Sequence, residues 1–399
     1  MSRLSRSSPA VWLLAALVTL PQIGETIYTP ALTDLARDLA ISQGQAQSTL
    51  SIFFIAFAIG VLSWGRLCDR WGRRPTLLLA LGVYLAGSLL CLSATTIEPL
   101  LAGRAIQAFG AAACSVVIQA ICREAFAGQT RMRVFATIGM IIPVSTAMGP
   151  FIGGGIAALW GWRATFGALC LLGLGLLTAC WRELPETSST PGAPPLLPLM
   201  GRMLCDPFVL GMATLIGVAN GIVFAYHAEA PFLLIDHWGL NSATYGALGM
   251  GVVGGSITGG ALLRRLNHRH WTSHACIALG LSTMLSAILG LWATAPLTGQ
   301  AGYRPGLMLF LGCASLLFAG YTITCSTCLH QALADYQEAL GSAGALLGLT
   351  YYVIVAAITQ GMALLHDGSP DTLPRYALAL LMLAGLAYLR LVKPRLCRS

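Results

Sequence analysis

The sequence predicts an all-α integral membrane protein with twelve transmembrane helices in two six-helix bundles, and three observations predict it. Of 399 residues, 56% are hydrophobic and only 10% are charged, whereas an ordinary soluble domain carries about 25% charged residues. A helix that crosses a bilayer needs about 20 mostly apolar residues. Runs of that length fall near residues 11–30, 48–67, 76–95, 99–121, 134–158 and 163–181, and again near 207–229, 244–263, 272–294, 305–329, 341–363 and 375–392. Between the two sets lies a stretch with Pro185, Pro191, Pro194, Pro195 and Pro198 beside Ser188, Ser189 and Thr190, a composition that reads as a linker. The expected organisation is therefore a bundle over 1–181, a cytoplasmic linker over 182–206 and a bundle over 207–399, related as a parallel repeat.

The net charge of +8 is not a nucleic-acid patch, because the basic residues recur in the gaps between alternate apolar runs. That pattern sets topology. With the N-terminus inside, Arg3, Arg6, Arg66, Arg70, Arg73, Arg74, Arg123, Arg131, Arg133, Arg182, Arg202, Arg264, Arg265, Arg269, Arg390, Lys393, Arg395 and Arg398 fall on the cytoplasmic side, and only Arg37, Arg104, Arg163, Arg304 and Arg375 remain elsewhere. The expectation is a multi-pass protein of the bacterial inner membrane with both termini cytoplasmic, functional as a monomer, whose partners are the lipid bilayer and a small-molecule substrate and not nucleic acid. The twelve cysteines sit mostly inside apolar runs, as Cys91, Cys114, Cys170 and Cys313 do, and read as small packing residues.

No soluble catalytic domain has room in this chain. An intramembrane enzyme would need a nucleophile and base, or metal ligands, converging at one depth, and the sequence offers no such set. Gly249 to Gly254 fits a dinucleotide fingerprint by spacing but lies in a span without a preceding strand. Cys325 and Cys328 lack the second ligand pair that a metal or redox site needs. A transporter without a cofactor is the remaining class, with protons as the coupling ion.

Three motifs sharpen this reading. The short loop Gly65-Arg66-Leu67-Cys68-Asp69-Arg70-Trp71-Gly72-Arg73-Arg74-Pro75 holds an aspartate and two glycines that topology alone does not require. It resembles the loop signature of the major facilitator superfamily, which implies a conformational switch at Gly65, Asp69, Arg70, Gly72, Arg73 and Arg74. Arg66 and Cys68 stand where many relatives have proline and serine. In the fourth span, Arg104 to Gly110 is similar to that superfamily's arginine motif. In the fifth, Gly139 through Pro143 to Gly149-Pro150-Phe151-Ile152-Gly153-Gly154 resembles the glycine-proline motif of drug:proton antiporters, and Gly149 and Pro150 join the expected switch. Glycine there permits close helix approach and proline bends the span.

The first span narrows the resemblance. Glu25-Thr26-Ile27-Tyr28-Thr29-Pro30-Ala31-Leu32, followed by Asp34 and Ala36-Arg37-Asp38-Leu39, is similar to the Bcr/CflA branch of twelve-helix exporters, especially its multidrug-resistance protein D type. Many members of that branch have an aspartate where Thr26 stands, so giving its role to Glu25 moves the acid by about 100° around the helix.

Glu25 lies deep in the span, where a charged side chain costs about 2.5–3.5 kcal/mol on insertion scales. Arg104 is its candidate partner at similar depth. Burial and a nearby arginine pull a carboxyl's protonation in opposite directions, so hydration or substrate at this pair can move a proton. Around it, Gln22, Tyr28, Gln107, Gln119, Asn220, Phe224, His227, Tyr321 and Tyr352 are the candidate lining of a substrate cavity. His227 and Glu229 have a second possible place, the outer interface. The expected function is proton-coupled efflux of small amphipathic molecules, with a dedicated exporter or importer of one metabolite as the alternative. A cytoplasm-active reporter fused at Ser188 should be active and a periplasm-active reporter there silent; the reverse result overturns the topology.

Overall fold

The computed structural model describes residues 9–187, 196–297, 304–336 and 340–396. The fold is helical throughout these residues. The N-terminal bundle comprises α1 (Val11–Asp38), α2 (Gln43–Trp71), α3 (Arg73–Leu92), α4 (Ile97–Ala125), α5 (Gly128–Trp160) and α6 (Trp162–Glu183). The C-terminal bundle comprises α7 (Pro207–His237), α8 (Ser242–His268), α9 (Ser273–Thr294), α10 (Arg304–Ala332), α11 (Leu340–Leu365) and α12 (Thr372–Leu396). An even number of crossings returns the chain to the face from which it started, here called the terminal face; the other is the distal face.

Local chemistry starts these helices where the sequence changes from polar to apolar. At α2, Ser42 Oγ accepts from the Gln45 amide at 3.1 Å while the Ser42 amide donates to Gln45 Oε1 at 3.0 Å, a reciprocal capping box. Asp206 caps α7 ahead of Pro207, whose missing N–H costs nothing at the first helical position. Asn241 caps α8 and Thr272 caps α9. Exposed Leu79 and Leu89 on α3, Leu171 and Leu174 on α6, Leu285 and Leu289 on α9, and Met382 and Leu383 on α12 mark outward faces suited to hydrocarbon.

Two differences from the sequence reading have clear causes. The first helix does not stop near residue 30 but turns through Thr29–Ala31, with Pro30 inside that turn, and continues to Asp38. The linker region 182–206 contains a short helix, Leu196–Leu204, whose Leu199, Met200 and Met203 pack on the C-terminal core; its apolar residues fall on one stripe at helical spacing. Residues 188–195 of the linker lie outside the described residues.

The bundles meet along two seams, α2 with α11 and α5 with α8. Small residues let the backbones touch there. A Cβ at Gly149 would strike Thr26, one at Gly153 the Ile27 carbonyl, one at Gly154 the Ser242 carbonyl, and one at Gly246 the Pro150 carbonyl. The glycine-proline stretch thus binds α5 to α1 inside its own bundle and to α8 across the seam. Of the side chains at Gly139 and Pro143 nothing is described. Within the second bundle Gly255 and Gly259 bring α8 against Ser315 and Ala319 of α10, as ordinary packing requires, whereas Gly251 faces open space.

Gly153→Ala should therefore lower the thermal stability of the purified protein, by about 1–3 kcal/mol if it behaves like other overpacked cores. Gly155→Ala, where an added Cβ meets nothing within 4 Å, is the matched control. Equal melting temperatures for the two variants would refute the packing role.

Candidate functional site

Arg104 is fully buried, and its surroundings build the site. Its Nη1 donates to the Gly24 carbonyl of α1 at 2.9 Å and to Gln107 Oε1 at 2.5 Å. Gln107 Nε2 in turn donates to Ser88 Oγ of α3 at 2.8 Å. The guanidinium carbon sits 4.3 Å from the ring centres of both Tyr28 and Phe53, so the cation is held between two aromatic faces. Nε and Nη2 have no hydrogen-bonding partner among the described residues.

Glu25 is 2% exposed, and no donor reaches its Oε1. The expected Glu25–Arg104 pair is an electrostatic neighbourhood and not a hydrogen-bonded ion pair: Nη1 is taken by the Gly24 carbonyl and Gln107, Nε and Nη2 reach no carboxylate, and the charge of Arg104 acts on Glu25 from a distance. Tyr321, Tyr351 and Tyr352 of the other bundle lie within electrostatic reach of Glu25. Thr26 faces elsewhere. Its hydroxyl donates to the Gln22 carbonyl at 2.9 Å and to the Thr146 carbonyl at 3.1 Å, against α5. At residue 25, and not at residue 26, the helix presents an acid to the opposite bundle.

Aromatic side chains close the seam around this acid. Phe54 lies 4.5 Å from Phe224 and 6.2 Å from Tyr352, and Phe57 lies 4.7 Å from Tyr352. Tyr352 in turn contacts Tyr351 at 4.4 Å. Tyr321 OH donates to Asn220 Oδ1 at 3.1 Å. Of the residues expected to line a cavity, Phe224, Tyr352, Tyr321 and Asn220 are thus brought together. Gln22 is half-buried, with its Oε1 accepting from Thr146.

Three expectations, Tyr28, Gln107 and Gln119, need correction. Tyr28 and Gln107 are wholly buried in the first bundle, the former under the guanidinium and bonded to Thr49 at 2.8 Å, the latter holding Arg104; both position the cation and do not line a cavity. Gln119 is exposed, about four helical turns from Arg104, so helical spacing put it on the stripe but not in the site. His227 lies 5.5 Å from Phe318 and 5.7 Å from Tyr226 and lines a crevice that it shares with Pro150 of α5 and Tyr245 of α8. Phe53, Phe54, Phe57 and Tyr351 were missed because aromatic residues in an apolar run carry no periodic signal that separates a seam from a core. Among the described residues, no group of three or more His, Cys, Asp or Glu is placed to hold a metal ion.

A second polar cluster lies on the terminal face. Arg73 donates from Nε to Glu124 Oε2 at 3.2 Å and from Nη2 to Glu124 Oε1 at 2.6 Å, with Asp69 Oδ1 at 3.2 Å and the Cys68 carbonyl completing its partners. Glu186 accepts from the amides of Arg73 and Arg74 at 2.9 and 3.1 Å, capping α3. Arg74 Nη2 reaches the Trp181 carbonyl at 2.6 Å. Gly72 has φ +95°, and a Cβ there would meet the Glu186 carboxylate, so the turn between α2 and α3 requires glycine. Arg70 is exposed, and Gly65 lies near Val116. The sequence pointed to Asp69 and the arginines but gave no sign of Glu124 or Glu186, which arrive from α4 and from beyond α6.

Two bundles of membrane-length helices that meet along a seam, with a buried acid and a buried cation inside, have the architecture of a membrane transporter. The chain matches the Major Facilitator Superfamily over residues 14–390 and belongs to that family. It is 31% identical over 381 residues to an uncharacterized transporter of Rickettsia bellii, covering 94% of this chain and 93% of that protein. Multidrug resistance protein D of Escherichia coli is 27% identical over 346 residues, 84% of each chain, and the bicyclomycin resistance protein homolog of Haemophilus influenzae is 27% identical over 357 residues, 86% of each. Among solved structures, a D-xylose-proton symporter shares the fold with a TM-score of 0.75 at 15% identity, covering 96% of this chain and 97% of its own.

Because Glu124 chelates Arg73 with two oxygens and Asp69 touches it once, Glu124→Gln should cost more folded protein than Asp69→Asn. The difference should be about 1–2 kcal/mol, in the range of a charged hydrogen bond. Thermal unfolding of both variants in detergent checks the order, and a more severe Asp69→Asn would invert the assignment.

Proposed function

We propose that this transporter exports small amphipathic molecules from the bacterial cytoplasm in exchange for protons, with Glu25 as the proton-carrying group and Arg104 as the fixed charge beside it. The observation that carries the proposal is the Glu25 carboxyl at the seam, buried, with one oxygen lacking any donor and with tyrosines of the opposite bundle within electrostatic reach. Such a group exchanges a proton when a cavity wets it and interacts with a substrate when one displaces that water. Arg104 cannot deprotonate and is locked by the Gly24 carbonyl, Gln107 and two rings, so the site gains or loses charge at Glu25 alone.

The arginine distribution favours a cytoplasmic terminal face. On that orientation, the hydrogen bonds that tie α2 to α7 and α11 lie on the periplasmic side, and the arrangement is the one closed to the periplasm. The substrate breadth rests on the aromatic lining, which selects by shape and desolvation with few fixed hydrogen bonds. Relatives described as multidrug and bicyclomycin resistance proteins support the outward direction. The driving force is adequate: one proton crossing about 150 mV yields roughly 3.5 kcal/mol, which sustains a gradient of a few hundredfold.

Glu25→Gln should abolish substrate-driven proton movement in everted vesicles while the protein still inserts, since the amide keeps the shape and cannot titrate. Arg104→Ala should impair the same step, and the double variant should be no worse than the more severe single one. Overproduction in a strain stripped of its main efflux pumps should raise resistance to several unrelated amphipathic drugs, an effect erased by collapsing the proton gradient. Secretion or uptake of one metabolite with no gain in resistance would instead establish a dedicated carrier.

A further inference from the structure

The distal face holds a polar cluster outside the Glu25 site. Glu229, on α7, is 1% exposed, and its Oε2 lies 2.8 Å from Nδ1 of His366, the residue just past α11. Gln47 Nε2 of α2 donates to the same Oε2 at 2.7 Å. His366 Nε2 lies 2.5 Å from Gln43 Oε1, also on α2. The Gln43 amide has its orientation set by its other end, since Nε2 donates to Asp236 Oδ2 at 3.3 Å, where Arg37 also binds. This cluster therefore joins the first bundle to both α7 and α11.

The arrangement counts its own protons. Gln43 presents an oxygen, so His366 Nε2 must carry hydrogen. Nδ1 then faces a carboxylate oxygen, and a hydrogen bond forms there only if a proton sits on Nδ1 or on Glu229. With that proton removed, a bare ring lone pair faces a buried anion. The histidine–carboxylate bond is then lost, and the donor the two share is Gln47 Nε2, 2.7 Å from Oε2 and 3.2 Å from Nδ1.

We propose that Glu229 and His366 share one proton that locks the distal gate, so that proton binding from the distal side holds the two bundles closed there and proton loss lets them part. The proposal rests on the alternating, proton-driven reading above and deepens it. A carrier that has released its substrate outside would close and return inward only after taking up an external proton at this second site.

The other charged groups near the pair are few: Asp367 beside His366, Asp236 and Arg37 beyond Gln43, and His237, whose Nε2 lies 3.0 Å from the Gly368 carbonyl. The Phe232 ring packs on His366 at 5.5 Å. Burial works against the imidazolium, but the Glu229 hydrogen bond and charge outweigh it, and His366 titrates above its ordinary value of 6.5. A raised value means the lock is fully present below that ordinary value and is lost as pH rises through the raised one.

The test places spin labels at Thr95→Cys, exposed in the distal loop before α4, and Thr244→Cys, exposed in the first turn of α8 at the distal face, in a cysteine-free background in nanodiscs. Distance distributions recorded from about pH 6 to about pH 9 span the histidine range. The ratio of closed to open populations should fall by up to tenfold per pH unit between the ordinary histidine value of 6.5 and the raised one, and level off above it. His366→Gln and Glu229→Gln should each flatten this profile, and Gln47→Ala should lower the closed population while leaving the pH dependence. Glu25→Gln should keep the wild-type profile, so that failure of the coupling role of Glu25 and failure of the lock are read separately. A pH-independent wild type, or an unchanged profile in both pair variants, overturns the proposal.

Discussion

The fully buried guanidinium of Arg104 constrains the first bundle more than any other group. Placing a cation in an apolar interior costs several kcal/mol unless its hydrogens and its charge are met. The chain meets the charge with the Phe53 face from α2 and the Tyr28 face, and the hydrogens of Nη1 with the Gly24 carbonyl from α1 and with Gln107, itself bonded to Ser88 of α3, while Nε and Nη2 stay unpaired among the described residues. Three helices are thus positioned around one side chain of a fourth. Glu25 is next in sequence to the residue whose carbonyl Arg104 holds, so the clamp also fixes how the acid faces the seam. Because the bonds of Nη1 go to other partners, the acid is not tied to the cation by a hydrogen bond.

The seams show how two rigid bundles meet without fusing. Close approach rests on glycine and backbone at Gly44 against Ala363, Gly154 against Ser242 and Gly246 against Pro150, contacts that interlock little. Rings of Phe54, Phe57, Phe224 and Tyr352 fill the middle. Directional bonds join the bundles at the distal end, where Arg37 meets Asp236 at 2.5 Å and Gln47 meets Glu229. A joint of this kind, smooth in the middle and latched at one end, permits rocking of one bundle on the other.

The loop between α2 and α3 belongs to one bundle alone in this arrangement. Arg73 joins Asp69 to Glu124, and Glu186 caps α3, so the cluster ties α2, α3, α4 and the segment after α6. It braces the terminal end of the first bundle as a unit. Together with Arg104 deeper inside, it makes that bundle a stiff body that can move as one piece.

By itself the sequence determined the class of fold, because hydrocarbon permits only helices to span it in an all-α chain and the apolar runs are long enough to count. It also identified Glu25, Arg104, Asp69 and the glycine-proline stretch, since an ionisable residue or a cluster of glycines inside a span has no cheap place to be. Only the tertiary structure decided what each of them touches. Helical spacing places Gln107 and Gln119 on one stripe with Arg104, yet one is locked beneath the cation and the other is exposed, about four turns away. Partners far apart in the chain, such as Arg73 with Glu124, Glu186 with the start of α3, and Gln47 with Glu229 and His366, left no mark at any fixed spacing. The reason is physical: a span's own periodicity records which residues share a face, whereas the neighbour that face meets is set by how twelve helices pack, and that is a property of the whole chain.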